Sequence, residues 1–391
     1  IAGPSGERLV RYADSLAPES ACTSVQLHLQ VRPAEFAAHW NAAQVLAGQW
    51  GNPSSFYSLG LEAERTLGRA RRTVARALGA KEAELYFTSG GTEGNNLAVL
   101  GLARARKSWG RRVVSTAYEH PSVENCLRQL ESEGFEVVRV APKGGVVDIG
   151  ELLAAVTKET ALVTAMAVNN ETGALIDIPA LAAGVKERSP RTAVHTDFVQ
   201  GFCKRRPPIT PDLTALTVSG HKINGPKGIG ALYLKEGTHI AHVLHGGLQE
   251  RSLRPGTENV AFAAAMAAAV SAHRPVDPAV RQAVLDGLRG VDGIAVNSPE
   301  NGDSSILNLS LVGYRSETVL HFLEMRGIFV SSGSACSKNE KSHTLTAMGL
   351  PAARIDSALR VSFSGDSTVA EAQIFVKELL AAQRELAGVM K

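Results

Sequence analysis

Lys222 stands in the turn Ser219-Gly-His-Lys222, ahead of a glycine-rich run (Gly225, Gly228, Gly230) and an apolar strand expected over Ile229–Leu234. A lysine attacks a carbonyl when its backbone is fixed and its neighbours lower its pKa. Ser219, Gly220 and His221 supply small size and hydrogen-bonding groups, and the glycines let other backbone approach. Alone, the turn serves equally well as a plain strand connection. The phosphate-loop pattern G-x-x-x-x-G-K-[ST] does not occur.

Five other stretches carry chemistry of a compatible kind. Thr88-Ser-Gly-Gly-Thr-Glu-Gly-Asn-Asn96 lies between an expected strand and an expected helix, where free N–H groups can cradle a phosphate or simply cap the helix. His120, at the start of another helix, can stack on an aromatic ring, move protons or be structural. His195-Thr-Asp197 ends a strand with both outer residues on one side, and Gln200 follows. An aspartate there can pair with a protonated pyridine nitrogen or cap the next helix. Arg360 interrupts an apolar strand, and a substrate carboxylate or a structural carboxylate would account for it. Finally, Ser331-Ser-Gly-Ser-Ala-Cys336-Ser-Lys is glycine- and serine-rich, which predicts an exposed, mobile loop bearing one thiol.

These stretches must be held by a scaffold, and its rhythm is legible. A turn is expected at Gly51-Asn-Pro-Ser-Ser55, and helices over Glu35–Ala47 and Leu61–Leu78. From Leu85 strands and helices alternate: strands over Leu85–Phe87, Val113–Ser115, Val137–Val140, Ala161–Val168 and Ala193–Asp197, with helices over 93–106, 122–133, 149–156 and 178–188 between them. Such alternation predicts a parallel sheet covered on both faces, with ligands bound beyond the carboxyl ends of its strands. A helix is expected over Val260–His273. Past Pro275–Pro278, a smaller α+β region should hold strands over Ile306–Leu311, Ile328–Ser331 and Leu359–Phe363. Helices over Ser316–Met325 and Val369–Glu385 complete it.

Composition narrows the classes. The 391 residues are 44% hydrophobic and 20% charged with a formal net charge of +3, which gives no argument for nucleic acid or membrane binding. The four cysteines (Cys22, Cys126, Cys203, Cys336) form no C-x-x-C pair, so neither a metal site nor a redox dithiol is expected. Their sparseness, with no signal peptide read at the start, leads us to expect a cytoplasmic protein.

In order along the chain, Gly51-Asn-Pro-Ser-Ser55, Thr88-Ser-Gly-Gly-Thr-Glu93, Glu119-His120, Asn169-Asn-Glu-Thr-Gly173, His195-Thr-Asp-Phe-Val-Gln200, Ser219-Gly-His-Lys222, Arg254-Pro-Gly-Thr257 and Ser332-Gly-Ser-Ala-Cys336 resemble the cysteine desulfurases of the class V aminotransferase group. The resemblance runs from about Gly51 to the end. It implies an α/β fold of the fold type I pyridoxal-phosphate-dependent kind. A large domain over 15–259, built on a mostly parallel seven-stranded sheet, would be joined by a smaller α+β domain formed by 1–14 and 260–391. It implies pyridoxal 5'-phosphate carried on Lys222 as a Schiff base, with His120 stacked on its ring, Asp197 at the pyridinium nitrogen, and Asn170 and Gln200 on the ring-oxygen side. Gly91, Thr92, Ser219 and His221 would hold the phosphate, and Thr257 would reach the phosphate of a neighbouring subunit in a homodimer. Arg360, with Asn170, would bind L-cysteine. Cys336, with Lys222 and His120, would be catalytic, taking the sulfur as a persulfide and passing it to an acceptor protein of iron–sulfur cluster assembly, tRNA thiolation or DNA sulfur modification.

Departures from the pattern keep alternatives open. The Tyr-Leu-Asp-x-x-Ala-Thr-Thr-Pro-like opening of the family survives only as Tyr12-Ala-Asp14 and Ala17-Pro18. Phe198 and Cys203 stand where alanine and glycine are expected, and Phe198 could reshape the pocket beneath the cofactor. A selenocysteine lyase, another class V lyase or aminotransferase, and a non-catalytic scaffold are the other readings.

Overall fold

The computed structural model describes residues 51–332 and 341–387. The helix expected over Glu35–Ala47, Tyr12 to Pro18 and the thiol of Cys336 lie outside the described residues.

The chain enters at a turn closed by Ser55 N–H donating to Asn52 O (3.0 Å). Helix α1 (Ser58–Leu78) follows, burying Leu67, Ala70, Val74 and Leu78 along one stripe and ending at Gly79, whose φ of 70° suits glycine. Then come β1 (Leu85–Thr88), α2 (Gly91–Arg106), β2 (Arg112–Thr116), α3 (Pro121–Ser132), β3 (Glu136–Val140), α4 (Ile149–Ala154), β4 (Thr160–Thr164), α5 (Ile178–Arg188), β5 (Ala193–Asp197), β6 (Ala215–Ser219) and β7 (Gly230–Leu234). These strands form one seven-stranded sheet in the order β1-β7-β6-β5-β4-β2-β3. Only β7 runs against its neighbours, β1 and β6. Strands β4 to β7 are buried along their whole length, as expected of a sheet covered on both faces. Helix α6 (Val260–Ala272) turns Ala263, Met266 and Ala267 into the same core, its small side chains allowing close approach.

The second sheet has four strands in the order β10-β11-β9-β8, namely β8 (Ile294–Val296), β9 (Ile306–Leu311), β10 (Ser331–Ser332) and β11 (Ala358–Ser362). Helices α7 (Pro278–Leu288), α8 (Ser316–Glu324), α9 (His343–Ala347), α10 (Ala352–Asp356) and α11 (Val369–Ala387) accompany it. Val284, Leu307, Leu309, Val319, Leu359 and Leu379 form its separate core.

Two expected strands are shorter than their apolar runs. The run from Ala161 stays buried to Val168, but the ladder stops at Thr164. Beyond it, Ala165 and Ala167 still donate to the carbonyls of His195 and Asp197, whereas β2 has ended on the other side. The strand expected over Ile328–Ser331 is reduced to Ser331–Ser332, because pairing with β11 begins only at Ser331↔Arg360, and Phe329 is exposed. Helix α7 buries Val280, Val284 and Leu288 at four-residue spacing, a helical period that the sequence expectations above do not include, and strand β8 is only three residues long.

Candidate active site

The anion cradle forms where β1 runs into α2. Gly90, with φ of 153°, turns the chain so that α2 starts at Gly91 with its first amides unclaimed by the helix. Ser219, at the end of β6, directs its hydroxyl toward Gly90: a Cβ built there would lie 3.9 Å from Ser219 Oγ. The same hydroxyl meets His221 Nδ1 at 2.8 Å. Gly91 and Ser219 therefore share one corner with His221, and Thr92 stands exposed at its rim. Glu93 braces the corner from outside, accepting Ser89 N–H through Oε2 and Arg254 Nε (3.0 Å) through Oε1. Thr257, three residues past Arg254, is exposed and makes no described side-chain hydrogen bond to the other site residues.

Asp197 closes β5. Its Oδ1 accepts from Val199 N–H (2.9 Å) and its Oδ2 from Asn95 Nδ2 (2.7 Å). The Asn95 amide also donates to Ser122 Oγ (2.8 Å), and Ser122 Oγ lies 2.8 Å from His120 Nδ1. His120 caps α3, its Nδ1 accepting from Ser122 N–H at 3.2 Å. Burial chiefly lowers the pKa of His120. Asp197 opposes that and Lys222 adds to it. His120 is therefore a neutral imidazole at pH 7. Asn95 lies within the Thr88–Asn96 stretch but is given no role by the sequence, and Ser122 is not singled out, since nothing in the linear pattern joins positions 27 and 102 residues apart.

Lys222 lies on a short 3-10 turn, Gly220–Ile223, ended by Asn224 at φ 62°. Its charge is felt by His120, His221 and Lys204. Burial, then Lys222, Lys227 and His120, depresses His221. Lys204 is a further cation the sequence did not flag. It donates to Gln200 Oε1 (3.2 Å), and its pKa is lowered by burial, with Lys222 and Arg360 adding and Asp303 opposing.

From the second sheet, Arg360 on β11 donates to Asn170 O (3.0 Å) and, more weakly, to Ser331 Oγ (3.4 Å). Its Nε and Asn170 Oδ1 are buried without a partner among the described residues. The loop is held by Asn169, whose side chain accepts from Glu171 N–H, Thr172 N–H and the Thr172 hydroxyl. Glu171 accepts from Ser342 Oγ (2.5 Å), and burial raises its pKa against that bond.

Two buried ionisable groups lie behind the site. Glu119 accepts from Thr116 Oγ1 (2.6 Å) and Met166 N–H (2.9 Å) through one oxygen while the other has no partner among the described residues, and burial first of all pushes its carboxyl up to about 8. His195 is sealed between Thr164 Oγ1 (2.8 Å) and Thr217 Oγ1 (3.1 Å), and burial pushes it down to about 3. His195 is thus a packed, neutral side chain. Phe198 lies over Gly201 and lines a groove with Ile176, Ile178 and Ile209. Cys126 is buried on α3 and donates to Ser122 O, and Cys203 is half-buried; burial pushes their thiols up to about 12 and about 11. Neither is a ready nucleophile. Among the described residues no cluster suits a metal ion and no helix is long and apolar enough to cross a membrane.

The sequence model of the family described as Aminotransferase class-V matches residues 41–375. The NifS/IcsS protein homolog of Lactobacillus delbrueckii subsp. bulgaricus is 39% identical over 350 residues, 85% of this chain and 90% of that protein. The cysteine desulfurase IscS of Clostridium botulinum is 36% identical over 335 residues, 82% of this chain and 84% of that protein. Among solved structures, a NifS-like protein superposes with a TM-score of 0.78 at 31% identity, covering 86% of this chain and 94% of its own.

Proposed function

This chain belongs to the class-V aminotransferase family, and from that premise we propose that it is a pyridoxal-phosphate-dependent cysteine desulfurase, converting L-cysteine to L-alanine and retaining the sulfur as a persulfide on Cys336. The observation that carries the reading is convergence. An anion cradle at Gly91, a buried Asp197, a neutral His120, Lys222 and an arginine with a spare buried Nε meet beyond the carboxyl ends of the parallel strands.

The residues fit the cofactor. The cradle suits a phosphate, Asp197 offers a carboxylate to a pyridinium, and the unpartnered Asn170 Oδ1 and Arg360 Nε call for polar groups of a ligand. Lys222 would hold the cofactor covalently; Gly91, Thr92, Ser219 and His221 would bind its phosphate; His120 would cover its ring; Asn170 and Gln200 would face its ring oxygen. Thr257, exposed on its segment, would serve the neighbouring subunit of a homodimer. Bound there, pyridoxal phosphate supplies an electron sink for bonds at the substrate's carbons.

The side chains divide the work. Arg360 binds the substrate carboxylate, with Lys204 and Lys222 adding positive potential. Asp197, oriented by two N–H donors, would pair with the ring nitrogen. Lys222 would move protons at the substrate carbons, and neutral His120 would hold its Nε2 proton against the ring face. The Cys336 thiolate attacks the substrate sulfur: an S–S bond forms, the C–S bond breaks, its electron pair stays with the carbon, and a proton added there completes alanine. An acceptor protein then collects the sulfur from Cys336.

The test is one preparation read three ways: visible absorbance with pyridoxal phosphate, alanine formed from L-cysteine, and persulfide trapped by alkylation. Cys336→Ala should keep the absorbance and lose the persulfide; Lys222→Ala should lose covalent retention of the cofactor. Alanine release undiminished in Cys336→Ala would overturn the assignment of the nucleophile.

A further inference from the structure

His120, Ser122, Asn95 and Asp197 form an unbroken chain of hydrogen bonds, and its donors and acceptors can be assigned in only one sense. The Ser122 backbone N–H, 3.2 Å from His120 Nδ1, can only donate, so Nδ1 is an acceptor and the ring proton sits on Nε2. Asp197 Oδ2, as a carboxylate oxygen, can only accept, which turns the NH2 side of the Asn95 amide toward it (2.7 Å). The second proton of that NH2 group points at Ser122 Oγ (2.8 Å), which must therefore accept from Asn95 and give its own proton to His120 Nδ1 (2.8 Å). Turning the amide over would set Asn95 Oδ1 against the carboxylate. As built, Asn95 Oδ1 is buried with no partner among the described residues, so the arrangement holds at the expense of an unsatisfied acceptor.

We propose that Asn95 and Ser122 are positioning residues that carry the orientation of the Asp197 carboxylate to His120, locking its imidazole as the neutral Nε2–H tautomer. The inference rests on the reading of Asp197 and His120 as the groups at the ring nitrogen and ring face of the cofactor. The device uses no contact of its own with the substrate. Two donors on Nδ1 resist protonation there, so His120 stays uncharged over the ring and presents one defined proton at Nε2. Other charges bear on the same ring: Asp197 favours its protonation, Lys222 disfavours it, and His221 is close enough to sense it. Glu119, its chain neighbour, is a buried carboxyl.

Nitrogen-15 histidine side-chain spectra of the full-length protein test this, recorded across pH with and without added pyridoxal phosphate, with the His120 signals identified by their loss in His120→Gln. The expected wild-type result is Nε2 protonated and Nδ1 not, in both states. Ser122→Ala, which keeps the backbone N–H on Nδ1 but removes the hydroxyl donor, should shift the Nδ1 resonance and raise the titration midpoint of His120 by about one pH unit, the equivalent of one ordinary hydrogen bond. Ser122→Thr, which restores the hydroxyl, should return both to the wild-type pattern; a loss of packing alone would not be rescued in this way. Asn95→Ala, which leaves the serine proton free to turn, should give an intermediate shift. An Nδ1–H tautomer in the wild type, or a Ser122→Ala protein whose Nδ1 resonance and midpoint are unmoved, would overturn the proposal. Failure of the cofactor to bind would instead strike the functional reading, because the tautomer is read in the cofactor-free protein as well.

Discussion

Arg360 on β11 donates to the backbone carbonyl of Asn170, 3.0 Å away and 190 positions earlier, so the second sheet delivers its cation to the loop that follows β4. With Nη1 and Nη2 engaged by Asn170 O and Ser331 Oγ, the guanidinium keeps a buried Nε for another acceptor. Lysine in its place would retain charge and lose the fork. Arg360→Lys is expected to lower kcat/KM for L-cysteine by roughly 100-fold, about 2.7 kcal/mol, chiefly through KM and with the cofactor absorbance unchanged. A fall confined to kcat would mean that Arg360 does not bind the carboxylate.

Gly230 opens β7 directly beneath the cradle. A Cβ there would meet Val218 O at 2.6 Å and Gly90 Cα at 2.8 Å, both backbone atoms that cannot step aside. Gly230→Ala is expected to displace Gly90 and weaken pyridoxal-phosphate binding at least tenfold, with a loss of about 1–3 kcal/mol in stability. Cofactor titration and urea denaturation measure the two effects. Gly79, with nothing near its Cβ position, is a control that should leave cofactor binding alone.

How far the sequence carried the site is clear from particular residues. Strands such as Thr160–Thr164 are readable because buried parallel strands are short, mostly apolar runs, and Lys222, Asp197 and the Thr88–Thr92 turn stand out because they follow or end such strands. Asn95, Ser122 and Lys204 did not stand out. Each is an ordinary polar residue on a helix or loop, and its meaning comes from partners supplied by other elements. Glu250 was equally silent: its partner Arg71 is 179 positions away. His195 drew notice beside Asp197, yet burial between two threonines makes it part of the core.

Glu119 and His195 give stability opposite dependences on pH. Burial pushes the Glu119 carboxyl up to about 8 from an ordinary 4.5, so its contribution is full below 4.5 and is lost as pH rises through 8. His195 titrates near 3 against 6.5, so its contribution is full above 6.5 and is lost as pH falls toward 3. The two slopes offset each other between about 4.5 and 6.5, and above that Glu119 acts alone. Glu119→Gln, which keeps the acceptor for Thr116 and Met166, should abolish the decline between pH 6.5 and 8 and leave the acid-side slope of His195. Denaturant midpoints across pH measure this; a wild-type curve flat from 6.5 to 8 would show that the carboxyl is already ionised.

Three successive non-glycine residues, Glu250, Arg251 and Ser252, have φ of 43°, 53° and 65°, a conformation costing roughly 1–2 kcal/mol per residue. The strain is held by what the turn grips. Glu250 makes a two-pronged pair with Arg71 (2.7 Å each) and accepts Phe87 N–H (3.1 Å), while Arg251 donates to Leu85 O (2.6 Å) and lies 3.9 Å over the Tyr86 ring. Together they cover the outer edge of β1, the strand that leads into the cradle. Ser252 makes none of these side-chain contacts, so Ser252→Gly should relieve strain and add about 1 kcal/mol of stability. Glu250→Gln, by contrast, leaves Arg71 without its carboxylate and should remove about 3 kcal/mol. Urea midpoints of the two variants should move in opposite directions; a Ser252→Gly protein less stable than the wild type would mean that the turn is restrained by the serine itself and not by its grip on β1.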